Sequence, residues 1–203
     1  MITLKFYRVA GWLAFLYAIL TIIGIISLIV FFALVPSLGS SNIMGSINDI
    51  TSILGSLVAV PVALALYLLH RAQSPGPALI GFTLALVGDL AVAVIQTLFV
   101  LRLVSYDATL AVAPLGFAVA GVGVIIFGSL ALQHQTLSSR LARLMIIAGV
   151  ASIVLVVVGM MTGWDSPLTS LSGLMFVVFG VAWNIGFGQT LLNRSYQAPN
   201  PIT

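Results

Sequence analysis

The fold is best predicted from one long apolar stretch, Ala78 to Leu101, which reads ALIGFTLALVGDLAVAVIQTLFVL. Its apolar run can cross a bilayer, because a hydrocarbon core ~30 Å thick needs about 20 helical residues. One carboxylate, that of Asp89, lies near its middle. An ionised carboxylate at that depth costs ~2.5–3.5 kcal/mol on insertion scales. The stretch therefore predicts a membrane helix in which protonation, a polar partner or water must compensate Asp89.

The composition of the whole chain indicates an integral membrane protein. Of its 203 residues, 61% are hydrophobic and 5% are charged, and the mean hydropathy is +1.26. Soluble domains carry ~25% charged residues, so this chain lacks the residues for an ordinary water-facing surface. The seven basic residues are spread along the sequence and form no patch for nucleic acid. The absence of cysteine excludes disulfides and thiolate metal sites.

Six apolar segments predict an all-α membrane protein, a bundle of six transmembrane helices in one domain over residues 1–203. Short polar or proline-containing turns separate the segments. Asp165 or Ser166 as N-cap, followed by Pro167, is typical of a helix start. The first segment is longer than the ~7–15 apolar residues of a signal peptide. The predicted helices cover about 9–35, 50–69, 78–101, 111–132, 141–161 and 168–192.

The basic residues predict the orientation of this bundle. Cytoplasmic loops of membrane proteins are enriched in lysine and arginine. Arg102 falls on one side of the predicted bundle, and the six other basic residues fall on the opposite side: Lys5, Arg8, Arg71, Arg140, Arg143 and Arg194. We therefore expect cytoplasmic N and C termini and a multi-pass protein of the cell (inner) membrane.

Small residues recur on single faces of two predicted helices. Residues three or four apart share a helix face, and membrane helices pack through small residues because these let the backbones approach. Gly81 and Ala85 have this spacing in the third helix, and Gly180, Asn184 and Gly188 are each four apart in the sixth. The pattern predicts that the four small residues lie at helix–helix contacts.

Polar residues at similar depth define a candidate intramembrane site, made of Asp89, Asn184, Thr21, Gln96 and Ser152. At ~1.5 Å of rise per residue, most of them fall near the middle of the membrane. Burial favours the uncharged form of a carboxyl. Asp89 either carries a proton as a functional group or is hydrogen-bonded to Asn184 or a main-chain carbonyl and fixes helix register. No second acid or base completes a relay, so we expect neither catalytic residues nor an enzyme.

His70 and His134 end the second and fourth predicted helices and are the candidates for metal or haem ligation. A ligating pair needs two imidazoles on facing helices, supported by further ligands. Each histidine instead stands beside a turn at the membrane surface, which favours interfacial solvation. No metal and no cofactor is therefore expected.

Four stretches carry a resemblance to a known family. They are RVAGWLAFLYAILTI (8–22), LYLLHRAQSPGPALIGFTLALVG (66–88), FGSLALQHQTLSSRLARLMIIAGVASIVLVVVG (127–159) and VVFGVAWNIGFGQTLLNRS (177–195). The chain resembles an uncharacterised family of small bacterial six-helix integral membrane proteins, classed as a domain of unknown function. The resemblance implies the fold and the membrane location, and it supplies no activity or catalytic residues.

The sequence favours a structural or accessory subunit of a membrane complex, or a small homo-oligomer. Its expected partners are the lipid bilayer and either other membrane subunits or a second copy, with no nucleic acid. The first alternative is a proton- or cation-linked small-solute transporter that uses Asp89. The second is a haem- or lipid-binding membrane module. A cavity that reaches Asp89 favours transport, whereas a dry, fully packed Asp89 favours a structural role.

Overall fold

The computed structural model describes residues 4–38, 43–164 and 166–197, and within these ranges it contains six α-helices and no strand. Each helix is long and apolar enough to cross a membrane. The predicted class, an all-α six-helix membrane bundle, is confirmed. The helices are α1 (Leu4–Leu38), α2 (Ile43–His70), α3 (Pro75–Val100), α4 (Tyr106–His134), α5 (Ser139–Thr162) and α6 (Pro167–Gln197).

Most helices extend beyond the apolar segments that predicted them. α2 begins at Ile43 and includes Asn48 and Asp49, which were expected in a loop, and α6 continues to Gln197. Hydropathy marks the part of a helix that crosses hydrocarbon, whereas the helix itself continues into the polar layer. The predicted start of α6 is confirmed at Pro167. The Ser166 hydroxyl accepts the Thr169 N–H at 3.2 Å, and Asp165 lies outside the described residues.

The six helices form a closed ring. Each helix packs against the next one in the chain, and α6 packs against α1. The interface of α3 with α4 is antiparallel, because Gly88 lies opposite Gly116 and Gly81 lies opposite Gly123. A Cβ atom at Gly123 would lie 2.5 Å from the Gly81 carbonyl oxygen. Glycine at these positions therefore allows the two backbones to approach closely.

Three of the four residues predicted at helix contacts lie at such contacts. Gly81 and Ala85 face α4, and Ala85 is only 3% exposed. A Cβ at Gly188 would lie 2.9 Å from the carbonyl oxygen of Gly11 on α1. Gly180 departs from the prediction, since a Cβ placed there would meet no atom within 4 Å. Gly180, which has no side chain, faces a space inside the ring and not the backbone of a neighbouring helix.

The bundle has one basic end. The starts of α1, α3 and α5 lie there with the ends of α2, α4 and α6. Six basic residues occupy this end, and Arg102 lies at the opposite end. The cytoplasmic placement of the basic end stays a prediction from the distribution of charge. The outer surface is apolar, for example at Ile19, Ile26 and Ile29, which are each more than half exposed. This surface is suited to contact with the lipid bilayer.

Candidate functional site

A cavity of about 70 Å³ lies inside the ring, and residues of all six helices line it. About 10–15 Å³ of such space is enough for one water molecule, provided that polar partners are present. The cavity can therefore hold several waters or a small ligand. Its only carboxylate among the described lining residues is that of Asp89. At 1.5 Å per residue, Asp89 lies ~21 Å from the start of α3 and ~16 Å from its end.

The cavity brings together four of the five polar residues predicted as a site. Thr21 comes from α1, Asp89 from α3, Ser152 from α5 and Asn184 from α6. Gln96 is not among the lining residues: it lies two helical turns from Asp89 along α3. Gln96 is 8% exposed, and its Oε1 atom has no hydrogen-bond partner within the described part of the chain.

Three of the lining side chains donate hydrogen bonds to their own helices. The Thr21 hydroxyl donates to the Tyr17 carbonyl at 2.8 Å, and the Ser152 hydroxyl donates to the Gly149 carbonyl at 2.7 Å. Asn184 Nδ2 donates to the carbonyl of Gly180 at 2.9 Å. A hydroxyl has one hydrogen, so the Thr21 and Ser152 hydroxyls retain only acceptor capacity. The Thr21 and Ser152 hydroxyls are therefore acceptors on a wall that also carries the donor groups of Tyr17, Trp183 and Asn184.

Asp89 differs from these neighbours. The side chain is 6% exposed, and no hydrogen bond to its carboxyl is found among the residues that the structure describes. Asn184 donates to its own helix, and the described part of the chain contains no hydrogen bond between Asn184 and Asp89, contrary to the hypothesis from the sequence. The phenol of Tyr17 lies within electrostatic range of Asp89. The carboxyl is thus buried in the protein, borders the cavity and is available to a ligand or a proton.

Aromatic side chains form part of the remaining wall, and none of them was predicted from the sequence to belong to the site. They are Tyr17, Phe117, Phe127, Phe176 and Trp183. The rings of Phe117 and Phe176 contact each other across the interior, with centroids 5.6 Å apart. Two of the five could have been found, since Tyr17 is one helical turn from Thr21 and Trp183 is adjacent to Asn184.

His70 is fully buried at the basic end, contrary to the expected interfacial solvation. Its Nδ1–H donates to the Leu66 carbonyl at 2.8 Å, and its Nε2 lies 2.8 Å from the Thr136 hydroxyl. The turn between α4 and α5 carries Thr136 over the imidazole and excludes water from it. Arg194 donates to the carbonyl of the same Thr136. The end of α2, this turn and the end of α6 are thereby linked.

The two histidines do not form a ligand pair. His134 Nε2 lies 2.8 Å from the Ser74 hydroxyl, and both ring nitrogens of His70 are engaged by protein groups. Within the described ranges, no cluster of three or more His, Cys, Asp or Glu side chains could hold a metal ion. The histidines are therefore best interpreted as parts of the packing at the basic end.

Comparison with known proteins does not assign the chain to a family: no family model, curated protein or solved structure matches it.

Proposed function

We propose that this integral membrane protein is a non-enzymatic, proton- or cation-linked transporter of a small solute, with Asp89 as the coupling residue. One observation carries the proposal: the central cavity reaches Asp89, whose carboxyl has no hydrogen-bond partner in the described structure. An acid that serves only to join helices needs a hydrogen bond to a neighbouring helix. A carboxyl that borders a cavity can exchange its partner.

The energetics of burial explain why such a carboxyl would couple two ligands. An ionised aspartate at this depth costs ~2.5–3.5 kcal/mol on insertion scales. No lysine, arginine or histidine is among the described residues that line the cavity. A bound proton or a bound cation can each offset the charge, and both occupy the same carboxyl. Binding of one therefore favours release of the other.

The position of the cavity fits a carrier. It lies near the middle of the ring, between the Phe117–Phe176 contact on one side and Phe127 on the other. Phe127 is fully buried and packs against His70 of the basic end, with centroids 5.8 Å apart. Transporter sites commonly lie near the bilayer midplane and open to one face at a time. Movement of either aromatic contact would change access to the cavity from that side.

The other hypotheses from the sequence have less support. An accessory subunit or a homo-oligomer would bury part of the outer surface, but the exposed apolar residues are equally suited to lipid. A haem-binding module with two histidine ligands would need free imidazole nitrogens, whereas both nitrogens of His70 and Nε2 of His134 have protein partners. Neither hypothesis explains a carboxyl without a hydrogen-bond partner on the wall of an internal cavity.

The proposal predicts that Asp89 binds and releases a proton over the physiological pH range, because a coupling residue must do both. Infrared difference spectra of the purified protein would follow the protonated carboxyl band that Asp89→Asn removes. We expect the band to change in intensity with pH and to shift in deuterated water. Gln96→Leu, on the same helix but outside the cavity, is the matched control and should leave the band unchanged. A wild-type band that is constant with pH would refute the coupling.

A further inference from the structure

The lining of the cavity indicates the chemical class of its ligand. It combines a single carboxylate with five aromatic rings, and the described lining contains no basic side chain. A cation within ~6 Å of an aromatic ring centroid gains ~0.5–1 kcal/mol at exposed sites and ~2 kcal/mol or more when desolvated. The walls are thus complementary to a cation that also presents apolar surface. With a neutral solute only a proton could offset the Asp89 charge, and an anionic solute would be repelled by the carboxylate.

Three acceptors on the lining, Asp89, Thr21 and Ser152, fit the same class of ligand. The Thr21 and Ser152 hydroxyls already donate to main-chain carbonyls, so they present acceptors to the cavity. The Asp89 carboxylate is also an acceptor when it is ionised. An ammonium group is a donor with several N–H bonds, and its hydrogen bond to a carboxylate is charge-assisted. A ligand with N–H donors and a positive charge therefore matches both features of the site.

The lining is less suited to a bare metal ion. Calcium takes six to eight oxygen ligands, and magnesium requires six in octahedral geometry. Here one carboxylate is surrounded mainly by aromatic and aliphatic carbon. The size also favours an organic ion: at about 10–15 Å³ for each water-sized position, 70 Å³ corresponds to roughly five to seven non-hydrogen atoms.

We propose that the central cavity binds a small organic ammonium ion of roughly five to seven non-hydrogen atoms, with its charged nitrogen between Asp89 and the aromatic rings of the wall. Binding to the protonated site releases the Asp89 proton, which leaves a carboxylate–ammonium pair. This inference rests on the proposed function in taking Asp89 as the residue that exchanges the proton. The ligand class and the proton coupling can nevertheless be tested separately.

The test is calorimetric titration of the purified, membrane-reconstituted protein with n-propylammonium chloride, using n-propanol as the neutral probe of similar shape. We expect n-propylammonium to bind, and n-propanol and the much larger tetrabutylammonium to bind at least about tenfold more weakly, a difference of ~1.4 kcal/mol. Binding should release protons, so the measured heat should depend on the ionisation enthalpy of the buffer.

Two substitutions make the test specific. Asp89→Asn keeps the shape of the side chain and removes its charge. It should lower the affinity for n-propylammonium at least about tenfold. Phe176→Leu removes one ring and should lower the same affinity by about 2- to 30-fold, the range that corresponds to a cation–π contact. Gln96→Leu should bind as the wild type does. Retained helicity and a single elution peak would show that each variant is folded.

Several results would overturn the inference: no binding of n-propylammonium, equal binding of n-propanol, or unchanged affinity in folded Asp89→Asn. If n-propylammonium does not bind but the Asp89 infrared band still responds to pH, the ligand class is wrong and the coupling stands. If it binds and the band is constant with pH, the site takes ammonium ions and the proton-coupled function is wrong.

Discussion

Replacement of Gly180 by leucine is expected to abolish the pH response of the Asp89 carboxyl while the protein remains folded. A Cβ at Gly180 would meet no atom within 4 Å, because this residue faces the cavity. The four carbons of a leucine side chain would occupy most of a space of about 70 Å³ and displace water from Asp89. The infrared band of the protonated carboxyl would then become insensitive to pH.

Gly180→Ala is the control for this substitution. It adds a single carbon to the cavity, so the Asp89 band should still respond to pH. Alanine has a higher helix propensity than glycine by ~1 kcal/mol, and the variant should be at least as stable as the wild type. If folded Gly180→Leu kept the wild-type pH response, Asp89 would exchange its proton by a route other than the central cavity.

Gly88→Ala, in contrast, is expected to destabilise the bundle. A Cβ at Gly88 would lie 2.5 Å from the main-chain nitrogen of Ala120 and closer still to the Gly116 carbonyl oxygen. Both are backbone atoms, so relief requires α3 and α4 to move apart. Overpacking of this kind costs ~1–3 kcal/mol, which on the whole exceeds the ~1 kcal/mol gained from helix propensity. We expect a lower free energy of unfolding and a lower thermal midpoint in detergent.

The comparison with Gly180→Ala isolates the cause of this effect. Both substitutions add one methyl group to a buried glycine in a membrane helix, and they differ in what that methyl group meets. Gly88→Ala should therefore be clearly the less stable of the two in thermal unfolding. Equal stability of the two variants would mean that the close contact of α3 with α4 is not needed for the fold.

The fold could be predicted from the sequence because it depends on the length and hydropathy of the six apolar segments. Each of the six spans is an apolar run that can be recognised without its neighbours. The start of α6 could also be predicted, since Ser166 and Pro167 act through local geometry. The continuation of α2 and α6 into polar sequence could not, because hydropathy does not report helical structure outside the hydrocarbon layer.

Only part of the site could be predicted from the sequence. Helix period and depth identified Thr21, Asp89 and Asn184, since a polar side chain in a membrane helix is expected to face protein. Aromatic residues such as Phe117 carry no such signal, because a ring is compatible with lipid, with packing and with a cavity wall. Whether Gly180 serves a helix contact or widens a cavity likewise depends on the partner helices.

His70 shows the same limit at the basic end. Its position beside a turn suggested solvation, and the residue that covers it, Thr136, is 66 positions away in the sequence. A contact of this kind follows from closure of the helix ring and not from the local pattern. Predictions from periodicity were reliable for residues whose environment is set by their own helix.

An experimental map of the Asp89 carboxyl would test the central claim most directly. We expect open space beside the carboxyl, with water or a cation within ~3.2 Å of its oxygens. We also expect Asn184 Nδ2 to donate its hydrogen bond to the carbonyl of Gly180, as in the present structure. A filled interior in which the Asp89 carboxyl is hydrogen-bonded to Asn184, with no water or ion beside it, would contradict the account and leave Asp89 as a link between α3 and α6.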